Sequence, residues 1–142
     1  MIAIWCDHGG FDLKEKRKAH LEEKGYEVKD VGCYDKNACD YPIYGKAVAN
    51  SVADGTCEKG IVICTTGIGI SIAANKVKGV RAALCADSTT ARMTRLHNDS
   101  NVLAMGAGIV GENLAMDIVD TFMTTDFSGV ERHQKRVDLI ED

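Results

Sequence analysis

The 142-residue sequence has one proline, few aromatic residues and no long apolar run. No stretch approaches the ~20 apolar residues that a membrane-spanning helix needs, so no transmembrane segment is predicted. The first residues lack the cationic region of a secretory leader, and we therefore expect a cytoplasmic protein. Basic residues are outnumbered, and the net charge of -4 argues against general binding of nucleic acids or anionic membranes.

Several common site signatures are also absent. There is no Cys-x-x-Cys and no Cys/His ligand spacing, which argues against a structural zinc site. The loop that contains Gly67 and Gly69 has Ile72 where a dinucleotide fingerprint needs its third glycine, and it lacks the Gly-Lys-Ser or Gly-Lys-Thr of a P-loop. We therefore expect no metal and no NAD.

What is present is the composition of a globular protein, with 45% hydrophobic and 27% charged residues. The length suits a single domain over residues 1–142. Three of the six cysteines, Cys6, Cys64 and Cys85, lie in or just after apolar, strand-like runs. Buried free thiols in a reducing compartment are favoured over disulfides for that reason.

Apolar runs alternate with amphipathic stretches along the chain. The runs at 2–6, 27–31, 60–64, 80–85 and 101–105 predict strands. Helices are predicted at about 11–24, 42–53, 67–76, 88–96, 112–123 and 132–140. The lysines and glutamates of the first helix predict a solvated face, with His20 exposed. This order predicts a Rossmann-like three-layer α/β/α sandwich, with a five-stranded parallel sheet and a C-terminal helix.

The segment from Cys64 to Asn75 is the most informative part of the chain. It follows a predicted strand and places a thiol beside a glycine loop that opens a helix. Glycines let backbone amides turn toward one point, and a helix N-terminus favours negative charge. A thiol in that field gives up its proton more readily. These residues predict a small anion hole next to a reactive cysteine.

Polar residues end the other predicted strands. Asp7-His8-Gly9-Gly10 follows the first strand, and Asp87-Ser88 follows the fourth. Because ligands bind outside the carboxyl ends of parallel strands, these segments should share one rim with Cys64. An incidental polar turn is the alternative interpretation of Asp7 and His8.

Two further clusters contain groups that can titrate or bind phosphate. His97 and Asn98 end the fourth predicted helix, where His97 serves as a capping residue as readily as a catalyst. Arg132 and Arg136 stand four residues apart, hence on one helical face. They suit either a solvated charge run or a clamp for a phosphate.

Together these segments resemble the type B ribose-5-phosphate isomerases. The resemblance covers nearly the whole chain in order, and its motifs also occur in galactose-6-phosphate and allose-6-phosphate isomerases, so they distinguish poorly among sugars. The segments that match are Asp7 to Gly10, Asp40-Tyr41-Pro42, Cys64 to Lys76, His97-Asn98-Asp99 and Arg132-His133-Gln134.

The resemblance implies a cofactor-free aldose to ketose isomerisation through a cis-enediolate, with active sites at a homodimer interface and a tetramer as the alternative. It implies that Cys64 is the base that moves a proton between C1 and C2. His97 of the partner subunit would open the sugar ring, and Thr66 would bond a substrate hydroxyl.

The resemblance also implies which residues bind the phosphorylated sugar. Asp7, His8 and Asn98 would bind the sugar, and Arg132 and Arg136 would hold the phosphate. The loop residues expected to line the hole for the enediolate are Thr65, Gly67, Ile68, Gly69 and Ser71.

Two positions depart from the family pattern. Thr65 stands where the family has glycine, and Gly108 stands where members commonly have a phosphate-binding arginine. The leading hypothesis is an isomerase of ribose 5-phosphate. The alternatives are an isomerase of a six-carbon 6-phosphate sugar, such as allose or galactose 6-phosphate, and a non-catalytic sugar-phosphate-binding subunit.

Overall fold

The structure is a computed structural model that describes residues 1–7, 10–32 and 40–142. The strands are β1 (Ile2–Cys6), β2 (Val28–Asp30), β3 (Lys59–Cys64), β4 (Ala82–Leu84) and β5 (Val102–Gly106). The helices are α1 (Phe11–Glu23), α2 (Tyr41–Ala53), α3 (Ile68–Asn75), α4 (Ser88–Asn98), α5 (Glu112–Thr124) and α6 (Glu131–Glu141).

The five strands form one parallel sheet in the order β2-β1-β3-β5-β4. Alternate residues of β3 point to opposite faces, so Ile61 and Ile63 enter one apolar core whereas Val62 and Cys64 enter the other. Helices α1, α4 and α5 contribute to the first core, and α2 and α3 to the second. The predicted three-layer α/β/α sandwich is confirmed.

The strand order reverses between β1 and β3, because β2 lies outside β1 while β5 and β4 lie beyond β3. In an open α/β sheet, the carboxyl ends of the strands that flank such a point form the usual ligand crevice. Cys6 pairs with Ile63 across these two strands. The residues that follow each of them, Asp7 and Cys64, therefore end neighbouring strands at the crevice.

Element boundaries agree with the predictions to within about two residues, and local signals explain most of them. Gly25 takes the left-handed conformation, with φ +89°, just after α1. Asp87 caps α4, its Oδ1 accepting the Thr90 amide at 2.6 Å. The fourth strand is shorter than predicted because the amide of Arg81, just before it, donates to the Asn101 side chain at 2.8 Å.

The predicted solvated face of α1 is wrong in part. Lys14 and Arg17 are fully buried. Lys14 Nζ donates to Asp30 Oδ2 on β2 at 2.9 Å; burial alone would lower its pKa, but the bond and charge of Asp30 outweigh that effect and raise it. The His20 side chain is also mostly buried, with Nε2 2.7 Å from Asp120 Oδ1 on α5. Packing between α1, β2 and α5 covers these cations.

Arg17 differs from Lys14 because all three of its guanidinium nitrogens are buried and have no hydrogen-bond partner among the residues that the structure describes. Burial lowers the pKa of this guanidinium, and the charges of Glu112 and Asp120 oppose that shift only partly. The fold thus tolerates one unpaired cation between α1 and α5.

Cys64 and Cys85 are buried free thiols, as predicted, and so is Cys57; Cys6 is buried as well. His8, Gly9, Cys33 and Cys39 lie outside the described residues. Within the described ranges, no helix has the length and apolarity to cross a membrane. Those same ranges contain no group of three or more His, Cys, Asp or Glu residues placed to hold a metal ion.

Candidate active site

Cys64 is the last residue of β3, and its side chain faces a tight loop that leads into α3. The residue is 6% exposed, and its Sγ accepts the backbone amide of Gly67 at 3.0 Å. Gly67 has φ +79°, a left-handed conformation that glycine adopts without strain. The amide donor faces the sulfur because the chain reverses at this glycine.

Close contact between backbones holds the loop in place. The amides of Ala107 and Gly108, which follow β5, donate to the carbonyls of Cys64 and Thr65 at 2.8 and 2.9 Å. A Cβ on Gly106 would lie 2.5 Å from the carbonyl carbon and oxygen of Thr66. No side chain fits there, so Gly106 allows the loop to lie directly on the end of β5.

Fewer backbone amides are available in the predicted anion hole than the sequence indicated, because several of them donate within the protein. Besides the Gly67 amide, which faces the sulfur, the Ile68 amide donates to Thr66 Oγ1 at 3.2 Å and the Ser71 amide to the Gly67 carbonyl at 3.2 Å. The amides of Gly69 and Ile70 lie in the first turn of α3, where a helix supplies no partners of its own. Ile70 is fully buried, whereas Gly69 is partly exposed, so the Gly69 amide is the donor best placed for an oxyanion.

The side chains that were predicted to line this loop differ in exposure. Thr65, Thr66 and Ile68 are exposed and face outward from the loop. Ser71 is buried, and its hydroxyl donates to the Ile68 carbonyl at 2.7 Å. The Ser71 proton is thus used within the helix, which leaves its oxygen as an acceptor only.

Asp7 lies beside this loop, as expected from its place after β1. Its amide donates to the Ile63 carbonyl at 3.0 Å, and its Oδ1 accepts the Gly10 amide at 3.1 Å. The residue is 8% exposed. The carboxylate is therefore fixed at the crevice, one strand away from Cys64.

Tyr41, at the start of α2, is a residue of this site that was not among the predicted site residues. Its hydroxyl lies so close to Gly69 that a Cβ there would overlap it. The phenol is 37% exposed and stands over the first turn of α3. The signal in the sequence is the Asp40-Tyr41-Pro42 segment, which places Tyr41 at a helix start but gives no hint of its contact with α3.

A second cluster forms where α4 and α6 meet. His97 and Asn98 end α4, while Arg132 and Arg136 lie on one face of α6, as the spacing predicted. One depression is lined by these four residues together with His133. Both arginines are exposed, so their guanidinium groups are available to an anion.

His133 is the second site residue that the predictions omitted. It is buried, its ring lies 4.5 Å from that of His97, and its Nδ1 is 2.7 Å from Ser128 Oγ. Burial lowers the pKa of His133, and the charges of His97, Arg132 and Arg136 lower it further. The depression therefore favours anions and disfavours additional positive charge.

The depression at His97 is lined by residues of α4 and α6 and by none of the Cys64 loop. Leu84 and Cys85, at the sheet edge, line both a cavity beside Thr66 and Ile68 and another beside His97. This edge of the sheet also exposes apolar side chains, with Ile68 53% and Leu84 42% exposed. The structure thus places the thiol and the phosphate-binding candidates at separate positions within one chain.

Comparison with known proteins agrees with this fold. Residues 2–140 match the Ribose/Galactose Isomerase family model. The chain is 50% identical over 139 residues to ribose-5-phosphate isomerase B of Escherichia coli, covering 98% of this chain and 93% of the relative. It is 42% identical over 142 residues to galactose-6-phosphate isomerase subunit LacB of Clostridium acetobutylicum, covering 100% of this chain and 82% of the relative.

Solved structures agree with the sequence matches. The structure of ribose-5-phosphate isomerase B from Clostridium thermocellum superposes with a TM-score of 0.96 at 52% identity, covering 99% of this chain and 94% of that chain. The fold and these matches define an aldose–ketose isomerase with the type B architecture. The chain belongs to the ribose/galactose isomerase family.

Proposed function

We propose that this protein interconverts ribose 5-phosphate and ribulose 5-phosphate through an enediolate, with Cys64 as the base. The observation that carries the proposal is the environment of Cys64: its sulfur accepts the Gly67 amide at the end of β3, beside the partly exposed Gly69 in the first turn of α3. A base and oxyanion donors lie together, which is what proton transfer next to a carbonyl requires.

The reaction needs one base that works twice. The Cys64 thiolate removes the proton from C2 of the open-chain aldose, and electrons move to the C1 carbonyl oxygen to form the enediolate. The amide of Gly69 stabilises the negative oxygen. A proton then moves from O2 to O1, the electrons on O2 form the C2 carbonyl, and the Cys64 thiol returns its proton to C1. The ketose forms and no oxidant or reductant is consumed.

The remaining groups bind the substrate and open its ring. Asp7, which is held by the Gly10 amide, accepts hydrogen bonds from sugar hydroxyls. The Thr66 hydroxyl, on the exposed side of the loop, forms a hydrogen bond with another sugar hydroxyl. Arg132 and Arg136 hold the phosphate, and this remote binding keeps the reacting carbons against the thiol. His97 donates the proton that opens the furanose ring.

The Cys64 loop and the α4–α6 depression are separate within one chain. A homodimer explains how both can act on one substrate, because each site can combine residues of two protomers. We propose that Cys64 of one protomer works with His97, Arg132 and Arg136 of its partner. Mixing inactive Cys64→Ser and His97→Asn variants would then restore about a quarter of wild-type activity, because a mixed dimer has one intact site. Two variants that stay inactive when mixed after dissociation would contradict a shared site.

Deuterium incorporation tests the reaction itself. The protein is incubated with ribose 5-phosphate in heavy water, and ketose formation and deuterium at the exchanged carbon are followed by NMR. We expect both. Binding of the sugar with neither ketose nor deuterium would show a sugar-phosphate-binding protein instead.

The Cys64→Ser variant tests the base. We expect kcat to fall by about 10²- to 10⁴-fold, because a serine hydroxyl is a far weaker base at neutral pH, while substrate affinity changes little. Cys57→Ala is the matched control, because it removes a buried thiol that lies in the apolar core and outside the candidate site. Retained turnover in Cys64→Ser would remove this residue from the role.

A six-carbon 6-phosphate sugar is the second candidate substrate, and one contact favours testing it. The two positions that depart from the family pattern touch each other: a Cβ on Gly108 would lie 3.1 Å from the Thr65 carbonyl oxygen and 3.3 Å from its Cγ2. Thr65 thus occupies space next to Gly108. The size of residue 65 therefore limits the room for the additional CH(OH) group of a six-carbon sugar.

Substrate preference distinguishes the two sugars. If ribose 5-phosphate is the substrate, its kcat/KM exceeds that of allose and galactose 6-phosphate, and Thr65→Gly narrows the ratio by about 10-fold because it removes a side chain from the pocket. Thr56→Ala, a change at an exposed threonine before the start of β3 and outside both clusters, serves as the control. A higher kcat/KM for either six-carbon sugar in the wild type would assign it to that substrate.

A further inference from the structure

Arg81 lies just before β4, where its guanidinium joins the two helices that form the phosphate-binding depression. Its Nε donates to the Asn98 carbonyl at 2.9 Å and one terminal nitrogen donates to the Asp99 carbonyl at 2.9 Å. The other terminal nitrogen donates to Glu141 Oε1 at 2.5 Å. One planar group therefore binds the C-terminal ends of both α4 and α6.

The α4 end needs such support. His97 and Asn98 are followed by Asp99, which has φ 46°, the left-handed conformation that is costly for a residue with a side chain. The last carbonyls of α4 lack helical partners and carry the negative end of the helix dipole. Arg81 supplies both the hydrogen bonds and the opposite charge at this turn.

The α6 end depends on the same group. Only His133 and Val137 of α6 are buried, so little apolar contact holds this helix to the rest of the fold. Glu141 fixes the C-terminal end, because its second oxygen also accepts the Gly79 amide at 3.1 Å. Arg132 lies nine residues earlier, about 13 Å along the helix. A rotation at Glu141 would therefore displace the guanidinium groups at the other end.

We propose that Arg81 and Glu141 form a clasp that positions the arginines of α6 relative to His97 and Asn98. Arg81 is a positioning residue, since its side chain is 16% exposed and is directed at protein acceptors. This inference rests on the proposed phosphate-binding role of Arg132 and Arg136. The clasp sets the distance between the phosphate group and the group that opens the sugar ring.

The sharpest test is Glu141→Gln, a change in the last turn of a helix that removes the charge but keeps the size. We expect the Kd for inorganic phosphate and the KM for ribose 5-phosphate to rise about fivefold, while kcat stays within about twofold. Asp142→Asn is the matched control, because it removes a neighbouring exposed carboxylate. Calorimetry with inorganic phosphate measures the clamp without any turnover.

Arg81→Gln should affect both helices. We expect the same loss of phosphate affinity and, in addition, a fall in kcat of about 10-fold, because the turn after His97 loses its donors. Arg81→Lys restores the charge opposite Glu141 but cannot supply a three-way fork, so KM should recover more than kcat. A purely structural role would lower the melting temperature and leave Kd, KM and kcat of the folded protein unchanged.

Arg132→Ala separates failure of the clasp from failure of the proposed function. If Arg132→Ala weakens phosphate binding and Glu141→Gln does not, the clasp is wrong and the phosphate site stands. If neither variant changes phosphate binding, both are wrong. Because Glu141→Gln alters only a partly exposed side chain, it decides the question even if Arg81→Gln does not fold.

Discussion

The two regions of the candidate site are built by different means. Backbone contacts hold the loop at Cys64, where Gly106 leaves no room for a side chain and Gly67 turns its amide onto the sulfur. Charged side chains hold the depression between α4 and α6, with Arg81 and Glu141 at one end and the Ser128–His133 pair at the other.

Because of this difference, we expect the Cys64 loop to be rigid and the depression between α4 and α6 to adjust to its surroundings. Backbone amides on a sheet keep their positions, which suits a step in which an oxyanion forms and charge must be stabilised without reorganisation. Ion pairs near the surface respond to pH and salt, and they bind a phosphate well without fixing it to a fraction of an ångström. We therefore expect glycine substitutions to disable the first region, and charge or pH to affect the second.

The largest expected effect follows from filling the space at Gly106. Gly106→Ala places a methyl group 2.5 Å from the Thr66 backbone, and backbone atoms cannot move aside as a flexible side chain can. We expect a loss of about 2–4 kcal/mol in the free energy of unfolding, with loss of activity in the fraction that still folds. Urea denaturation and kcat measure the two effects.

Gly111→Ala is the control for this experiment. Gly111 has φ -74°, and a methyl group added there would meet open space, with nothing within 4 Å. Gly111 is the N-cap residue of α5, so alanine restricts the unfolded chain but caps the helix less well, and we expect stability to change by no more than about 1 kcal/mol. Equal losses at both glycines would show that the contact with Thr66 does not govern the loop.

A second expected effect concerns charge without a partner. If charged side chains stabilise the α4–α6 region only because they are paired, the unpaired Arg17 should lower the free energy of unfolding. We expect Arg17→Leu to raise the free energy of unfolding by about 1–3 kcal/mol, because an apolar side chain at a buried site avoids the cost of desolvating a guanidinium.

Lys14→Met provides the contrast on the same helix. Lys14 is paired with Asp30, so its removal leaves a buried carboxylate and should lower stability. Chemical denaturation of both variants gives the comparison. Destabilisation by Arg17→Leu would mean that this guanidinium contributes more through packing than it costs through burial.

The smallest expected effect is on the pH dependence of stability. Burial holds the pKa of His133 below its ordinary value of 6.5, so the unfolded chain binds this proton more readily than the folded one. Stability therefore falls as the pH drops below 6.5, and His133 contributes no pH dependence above it. Comparing wild type with His133→Asn at pH 8 and pH 5.5 measures this.

We expect the wild type to lose more stability than His133→Asn over that interval. The groups that face His133 are His97 on α4, Ser128 before α6, and Arg132 and Arg136 on α6. Parallel losses in the two proteins would assign the acid sensitivity to other groups.

Most of the fold could be predicted because its signals are local. Buried parallel strands appear as continuous apolar runs, and Gly25 and Asp87 mark helix ends through their own backbone preferences. The Cys64 loop was visible for the same reason, since a strand, a glycine turn and a helix start are consecutive in the chain.

The missed features depend on contacts between distant residues. Lys14 and Arg17 look like members of a solvated helix face until β2 and α5 cover them. Glu141 lies 60 residues from Arg81, and no local pattern marks either as a partner of the other. The hydrogen-bond partners of the loop amides could not be predicted from the sequence either, because they depend on the direction of the Gly67 N–H.

The loop at Cys64 has a consequence for how this family can diversify. Its course is set by glycines and backbone contacts with the end of β5, whereas Thr65 and Ile68 project outward and are exposed. Replacing either side chain alters what meets a ligand without disturbing the hydrogen bonds that shape the turn. We therefore expect sequence changes at these two positions to alter substrate preference without loss of stability.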